Sequence, residues 1–452
     1  MSAPDLGDRT ALAWQALEAG DANGAWAQLI PLAGQLDRDS ELAATWLDLL
    51  RATPGRASLL EEVQRVLQRW PHDASLVTRA CDALIRAAER VPPDLAQPPD
   101  GPAQLAVSAA EACLQRGASP DVAPFLHMAR GNALRLLARY DAALQAMQEA
   151  LAAAPERPGF WFNLGLLHKA QRDWRAALEA NRKAVELGST HDSDPKPALW
   201  NLAICATALG EGALAIDALR KLGLAAQLAP SGMPYVDGLP PLQVRAATIG
   251  SGLGTASALP DRSVGFELLW VTPISPCHGV VSSATYRDAS VDYGDVVLWD
   301  AVPIGIGEHE GKPVPRMPLL ALLVKGDERR FRFVALQQAA EQVAAIGPEL
   351  PAEAKLFVHQ ERIELLCVRC ASGEHMHKHQ HEPAEEHRLV YGKIVVPGAA
   401  DLAAFRQQLD AVLVRHAGVR LVMPGLLEAI GDSPAAGKAH QMWRGLERAG
   451  RR

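Results

Sequence analysis

Apolar positions in the first half of the chain recur at helical spacing. TALAWQALEAG, GAWAQLIPLAGQL, ELAATWLDLLRATP, SLLEEVQRVLQRWP and ASLVTRACDALIRAAERV each read as an amphipathic helix, with Gly, Pro or Asp between them. They predict degenerate helical repeats over residues 1–90. The proline-rich stretch VPPDLAQPPDGP at 91–102 interrupts the pattern, which resumes with AQLAVSAAEACLQRG. Three segments then align with one another, starting at Pro124, Pro158 and Lys196. Small residues coincide in them at Gly131, Gly165 and Ala203, and again at Ala143, Ala177 and Ala215. Two helices of a pair approach closely only where side chains are small, and neither pair can bury its apolar stripe alone, so the units must stack. Helical repeats are therefore expected over residues 103–224.

From about Ala225 the helical spacing stops. Residues 225–264 are rich in Pro, Gly and Ser and read as a linker, so the two halves are expected to fold separately. Gly250, Gly252 and Gly254 lack a following helix and are assigned to this connection. Beyond it the runs FELLWVTPI, DVVLWDAVPI, LLALLVKGDERRFRFVAL, KLFVHQERIELLCV and RLVYGKIVVP are strand-like. Two hairpins are predicted, Leu319–Lys325 with Arg329–Leu336 and Lys355–His359 with Arg362–Val368. Helical patterns follow in LQQAAEQVAAIG, ADLAAFRQQLDAVLVRHAG and SPAAGKAHQMWRGLERAG. The fold class expected is multidomain: an all-α solenoid, then an α+β, mostly antiparallel domain over 265–452.

Ala143 and Ala177 stand 34 positions apart. With the aligned small residues, that period resembles the tetratricopeptide repeat (TPR) family across Pro124 to Gly223. The resemblance implies a concave groove that holds another protein or a peptide. Asn163 and Asn201 share a position in successive repeats and Asn132 lies one turn along in the repeat before, so these three are the candidate partner-binding residues. A side-chain amide both donates to a carbonyl and accepts from an N–H. Co-chaperone members of the family clamp a terminal carboxylate with asparagines and basic residues. Here Met128 and Pro197 replace the lysines, and Asn201 replaces a basic residue.

Charge and composition narrow the function classes. A formal net charge of -7 over 452 residues argues against a nucleic-acid binder. No run of about 20 apolar residues suggests a membrane span, and the first residues lack a signal-peptide pattern, so a cytoplasmic location is expected. Six cysteines do not make a disulfide framework in so long a chain; Cys81, Cys113 and Cys205 fall within helical pattern and are predicted to be buried.

Three clusters could carry chemistry. Cys367, Cys370, His375, His377, His379 and His381, with His387 nearby, offer thiolates and imidazoles suited to a tetrahedral ion, so zinc is the candidate cofactor. Cys277 beside His278 suggests a nucleophile, although neighbours on a strand point to opposite faces. Asp288, Asp292, Asp295 and Asp300 are the third cluster. The leading expectation is a cytoplasmic adaptor or scaffold that holds a partner in its groove and is not an enzyme. The rivals are a metal-binding or metal-sensing protein, and an enzyme built around Cys277, His278 and the aspartates.

Overall fold

The computed structural model describes residues 6–91, 97–189, 194–248, 265–286, 289–351, 353–367 and 384–449. Helices fill the first half, and the second is rich in sheet. The helices are α1 (Leu6–Glu18), α2 (Ala22–Leu29), α3 (Ser40–Ala52), α4 (Leu59–Arg69), α5 (Ala74–Ala88), α6 (Pro102–Gln115), α7 (Ala123–Leu136), α8 (Tyr140–Ala153), α9 (Pro158–Ala170), α10 (Trp174–Gly188), α11 (Lys196–Ala208) and α12 (Gly212–Lys221). No helix among the described residues is long and apolar enough to cross a membrane.

Local chemistry explains the helix ends. Asp21, Asp39, Asp73 and Asp173 start α2, α3, α5 and α10, and each side chain accepts hydrogen bonds from first-turn amides. Three of the turns between helices repeat the same backbone geometry. Ala138, Arg172 and Gly210 all adopt positive φ, at 55°, 64° and 72°. In each turn the next residue's amide reaches back to the preceding helix: Arg139 to Leu134, Asp173 to His168 and Glu211 to Ala206. From α5 onward each helix packs on the next, and α5, α7, α9 and α11 also pack on one another in series. Gly131 and Gly165 permit this approach. A Cβ there would lie 2.6 Å from Met147 and 2.3 Å from Asn181, respectively. Cys81, Cys113 and Cys205 are buried, as their positions in the helical pattern suggest.

The second half holds two main sheets. Strands β3 (Leu242–Ala247), β4 (Phe266–Ser275), β5 (His278–Val281), β6 (Val296–Trp299) and β8 (Lys312–Val324) pair in a ring that closes through β3 and β8; β7 (Gly305–His309) flanks β8. Only the β3–β8 pairing is parallel among these ladders. Val244, Leu269, Val271, Val297, Trp299 and Met317 fill the barrel. The second sheet runs β10 (Lys355–Cys367), β11 (Ala384–Val396), β9 (Arg329–Gln337) and β12 (Val419–Val422), all antiparallel. Phe331, Phe333 and Ala335 turn to the helix Leu402–Arg415, and Val334 and Leu336 to the helix Ser433–Ala449. Burial on both faces accounts for the continuous apolar run Phe333–Leu336 of β9.

Several expectations are corrected. Part of the segment read as a linker is ordered as strand: β1 (Gln227–Leu228) pairs with β2 (Pro234–Tyr235), and β3 belongs to the barrel. Neither predicted hairpin forms. β8 stays in the barrel while β9 joins the second sheet, because the Gly326 amide is held by Asp295 and the chain crosses over there. Residues 355–367 make one strand, bulged between Val358 and Gln360, and pair with β11. LQQAAEQVAAIG is not a long helix. Leu336 and Gln337 extend β9, Gln342 accepts from the amides of Gln338 and Ala339, and only a 3-10 turn at Ala344–Glu349 follows.

Candidate functional site

One face of α11 packs against the barrel. On β6 the side chains alternate: Val297 and Trp299 point into the barrel, while Leu298 points out onto α11. Leu298, Cys277 and Ile204 of α11 are all fully buried in one cluster, with Trp174 and Ala208 against it. The Cys277 thiol lies 3.6 Å from Thr207 Oγ1. Beside this apolar seam, Lys169 at the end of α9 is 8% exposed. Its Nζ donates to Asn201 Oδ1 at 2.6 Å and to both oxygens of Asp300, at 3.0 and 2.9 Å. The two halves thus share buried apolar and ionic contacts, which corrects the expectation of a contact-poor linker between them.

A cavity of about 980 Å³ remains between the helices and the barrel. Its helical wall presents Tyr140, Phe162, Leu166 and Trp200. The segment Asp300–Gly305, with Pro318, forms the barrel wall. Val302 there is 71% exposed. Arg86, Arg90 and Arg135 border the cavity from α5, the residues after it, and α7, and Lys196 borders it from the start of α11.

The three candidate asparagines are not brought together here. Asn201 lines the cavity, but its carbonyl oxygen is engaged by Lys169. Asn163 is half-buried on α9 and Asn132 is buried on α7, and neither lines the cavity. The Asn132 Oδ1 atom is buried without a hydrogen-bond partner. The residues that do line it include Arg135 and Lys169, which stand one repeat apart, a periodic signal present in the sequence.

The described members of the other clusters, Cys277, His278, Asp292 and Asp295, are packed into the framework. Cys277 is fully buried, and burial pushes its thiol above the ordinary range, which disfavours the thiolate a nucleophile needs. His278 turns to Ser275, with Nδ1 2.6 Å from its Oγ. Asp292 accepts from the Thr285 amide and hydroxyl and from Lys393 Nζ at 2.7 Å. Lys393 and the backbone amides hold its carboxyl below the usual range despite burial, which acts the other way. Asp295 is bonded to Lys325 and Arg330. Lys393 and Arg330 belong to the second sheet, so these aspartates brace it against the barrel. Asp288, Cys370, His375, His377, His379 and His381 lie outside the described residues, as does the side chain of Cys367. Among the described residues no group of three or more His, Cys, Asp or Glu is arranged to hold a metal ion.

Comparison with known proteins gives short or distant likeness. No family model matches the chain. An E3 ubiquitin-protein ligase CHIP from Arabidopsis thaliana is 41% identical over 49 residues, which is 11% of this chain and 18% of the ligase. The chain therefore spans under a fifth of that relative's length. Among solved structures, the MamA RS-1 ArsTM double mutant aligns at 21% identity over 42% of this chain and all of its own, with a TM-score of 0.29.

Proposed function

We propose that this chain is a TPR-type scaffold that holds a segment of a partner protein in the cleft between its helices and its barrel. The cleft itself carries the proposal. It is roomy, it is bordered by aromatic side chains and by cations, and both halves contribute to it, as binding sites at domain boundaries commonly do. The repeated turn geometry at Ala138, Arg172 and Gly210 and the 34-residue period support the repeat assignment. Because the apolar seam around Cys277, Ile204 and Leu298 covers the end of the groove, a partner chain meets only the uncovered part. That favours a short segment over a chain lying along every repeat.

Site-directed photo-crosslinking tests this directly. With benzoylphenylalanine in place of Phe162, the partner is expected to crosslink in cells. The same group at Gln148, exposed on α8, is expected to give no such product. Partner crosslinks from Gln148 with none from Phe162 would put the binding surface on the outer helices instead.

A further inference from the structure

The charge bordering the cleft is opposite to that of the chain. The chain carries a formal charge of -7. Yet among the described residues five cations border the cleft, Arg86, Arg90, Arg135, Lys169 and Lys196, against three acids, Glu89, Asp194 and Asp300. Internal pairing accounts for some of these: Glu89 meets Arg86 at 3.1 Å and Arg135 at 3.5 Å, and Asp300 meets Lys169. Among the described residues no ion pair engages Arg90 or Lys196, and both side chains are exposed. The buried Arg135 Nε also lacks a hydrogen-bond partner. A concave site with surplus positive charge concentrates anions.

These two exposed cations stand apart. Arg90 follows α5 and Lys196 opens α11, with α7 and α9 packed in series between those helices. Packed helix axes stand about 8–10 Å apart, so one small anion does not span both cations, whereas an extended chain does. Phe162 of α9 and Trp200, one turn along α11 from Lys196, line the cleft together with Val302 and Ile304 of the barrel wall.

We infer that the segment the cleft holds is acidic, with separate carboxylates meeting Arg90 and Lys196 and a large apolar side chain between them against Phe162 and Trp200. This rests on the cleft being the partner site and adds the chemistry of its ligand. Lys169 is excluded from that recognition because Asp300 already neutralises it from within the chain.

A random dodecapeptide library displayed on phage is the probe, selected on the full chain and, in parallel, on the Arg90→Glu, Lys196→Glu double variant. Both positions are exposed and have no ion-pair partner among the described residues, so far-UV circular dichroism should show the variant folded. The expected result is enrichment on the natural chain of sequences combining Asp or Glu with an aromatic or large aliphatic residue. A synthetic copy of the leading sequence should lose affinity for the double variant by at least about tenfold in fluorescence anisotropy, the effect of losing one charge-assisted contact. Enriched sequences that are neutral or basic, or that bind both proteins equally, would overturn the charge assignment while leaving peptide binding intact. No enrichment on either protein would overturn the cleft reading and this inference with it.

Discussion

Replacing Asp300 by Ala should lower stability by about 3 kcal/mol, because it strands a buried ammonium group. Lys169 is 8% exposed, and Asp300 supplies both of its charged contacts. Removing one member of a buried pair typically costs about 3–5 kcal/mol. The low end applies because Asn201 keeps its bond to Nζ and the Asp300 side chain is 20% exposed beside the cleft. The double variant Lys169→Met, Asp300→Leu removes both charges and should recover most of the loss, since two apolar side chains can occupy a site that a lone charge cannot. Urea unfolding of the three proteins measures this. Equal stability of Asp300→Ala and the natural chain would show that the two halves do not meet at Lys169.

The second large effect is a loss of stability in mild acid. Burial lowers the pKa of His278 to about 4 from an ordinary value of 6.5. His359 is also lowered to about 4, chiefly by burial and then by the charge of Lys393. In each case the folded chain resists a proton that the unfolded chain accepts. Their contribution is therefore fully present above about pH 6.5 and is lost as pH falls towards 4. For His278, which is 1% exposed, the whole contribution is about 3.5 kcal/mol at most, since each tenfold change in proton affinity is worth about 1.4 kcal/mol. His359 is only half-buried and should contribute less. Urea midpoints measured from pH 7 to pH 4.5 should fall steadily in the natural chain and less steeply in His278→Gln. Parallel curves for the two proteins would remove His278 from the account.

The helical half was legible because each of its signals is local. Aspartate caps, prolines in first turns and the spacing of Gly131 and Gly165 all act within one helix pair, and the helices formed where these residues placed them. Pairing of strands was less legible. Gly326-Asp327 looks like a hairpin turn, but Asp295, some thirty residues earlier, holds that amide and sends β9 into another sheet. The same distance problem hid the site. Asn201 stands out by its place in the repeat, and nothing nearby in sequence shows that Lys169, itself paired with Asp300, engages it. Lys169 itself was within reach, since it repeats Arg135 at the repeat period and a basic residue recurring on a groove helix is a legible sign. The barrel wall was not: Val302 and Ile304 sit in a short turn whose importance comes only from the helices it faces.

Helices and barrel are proposed to act together as one binding cleft. Hydrogen exchange of the full chain, with and without the leading peptide from the library, tests it most directly. Exchange should slow in α9 and α11 together with the barrel segment 300–305 in the bound protein, and change little in α8 and α10. Protection confined to α8 and α10, or to the second sheet with the cleft segments unchanged, would contradict it.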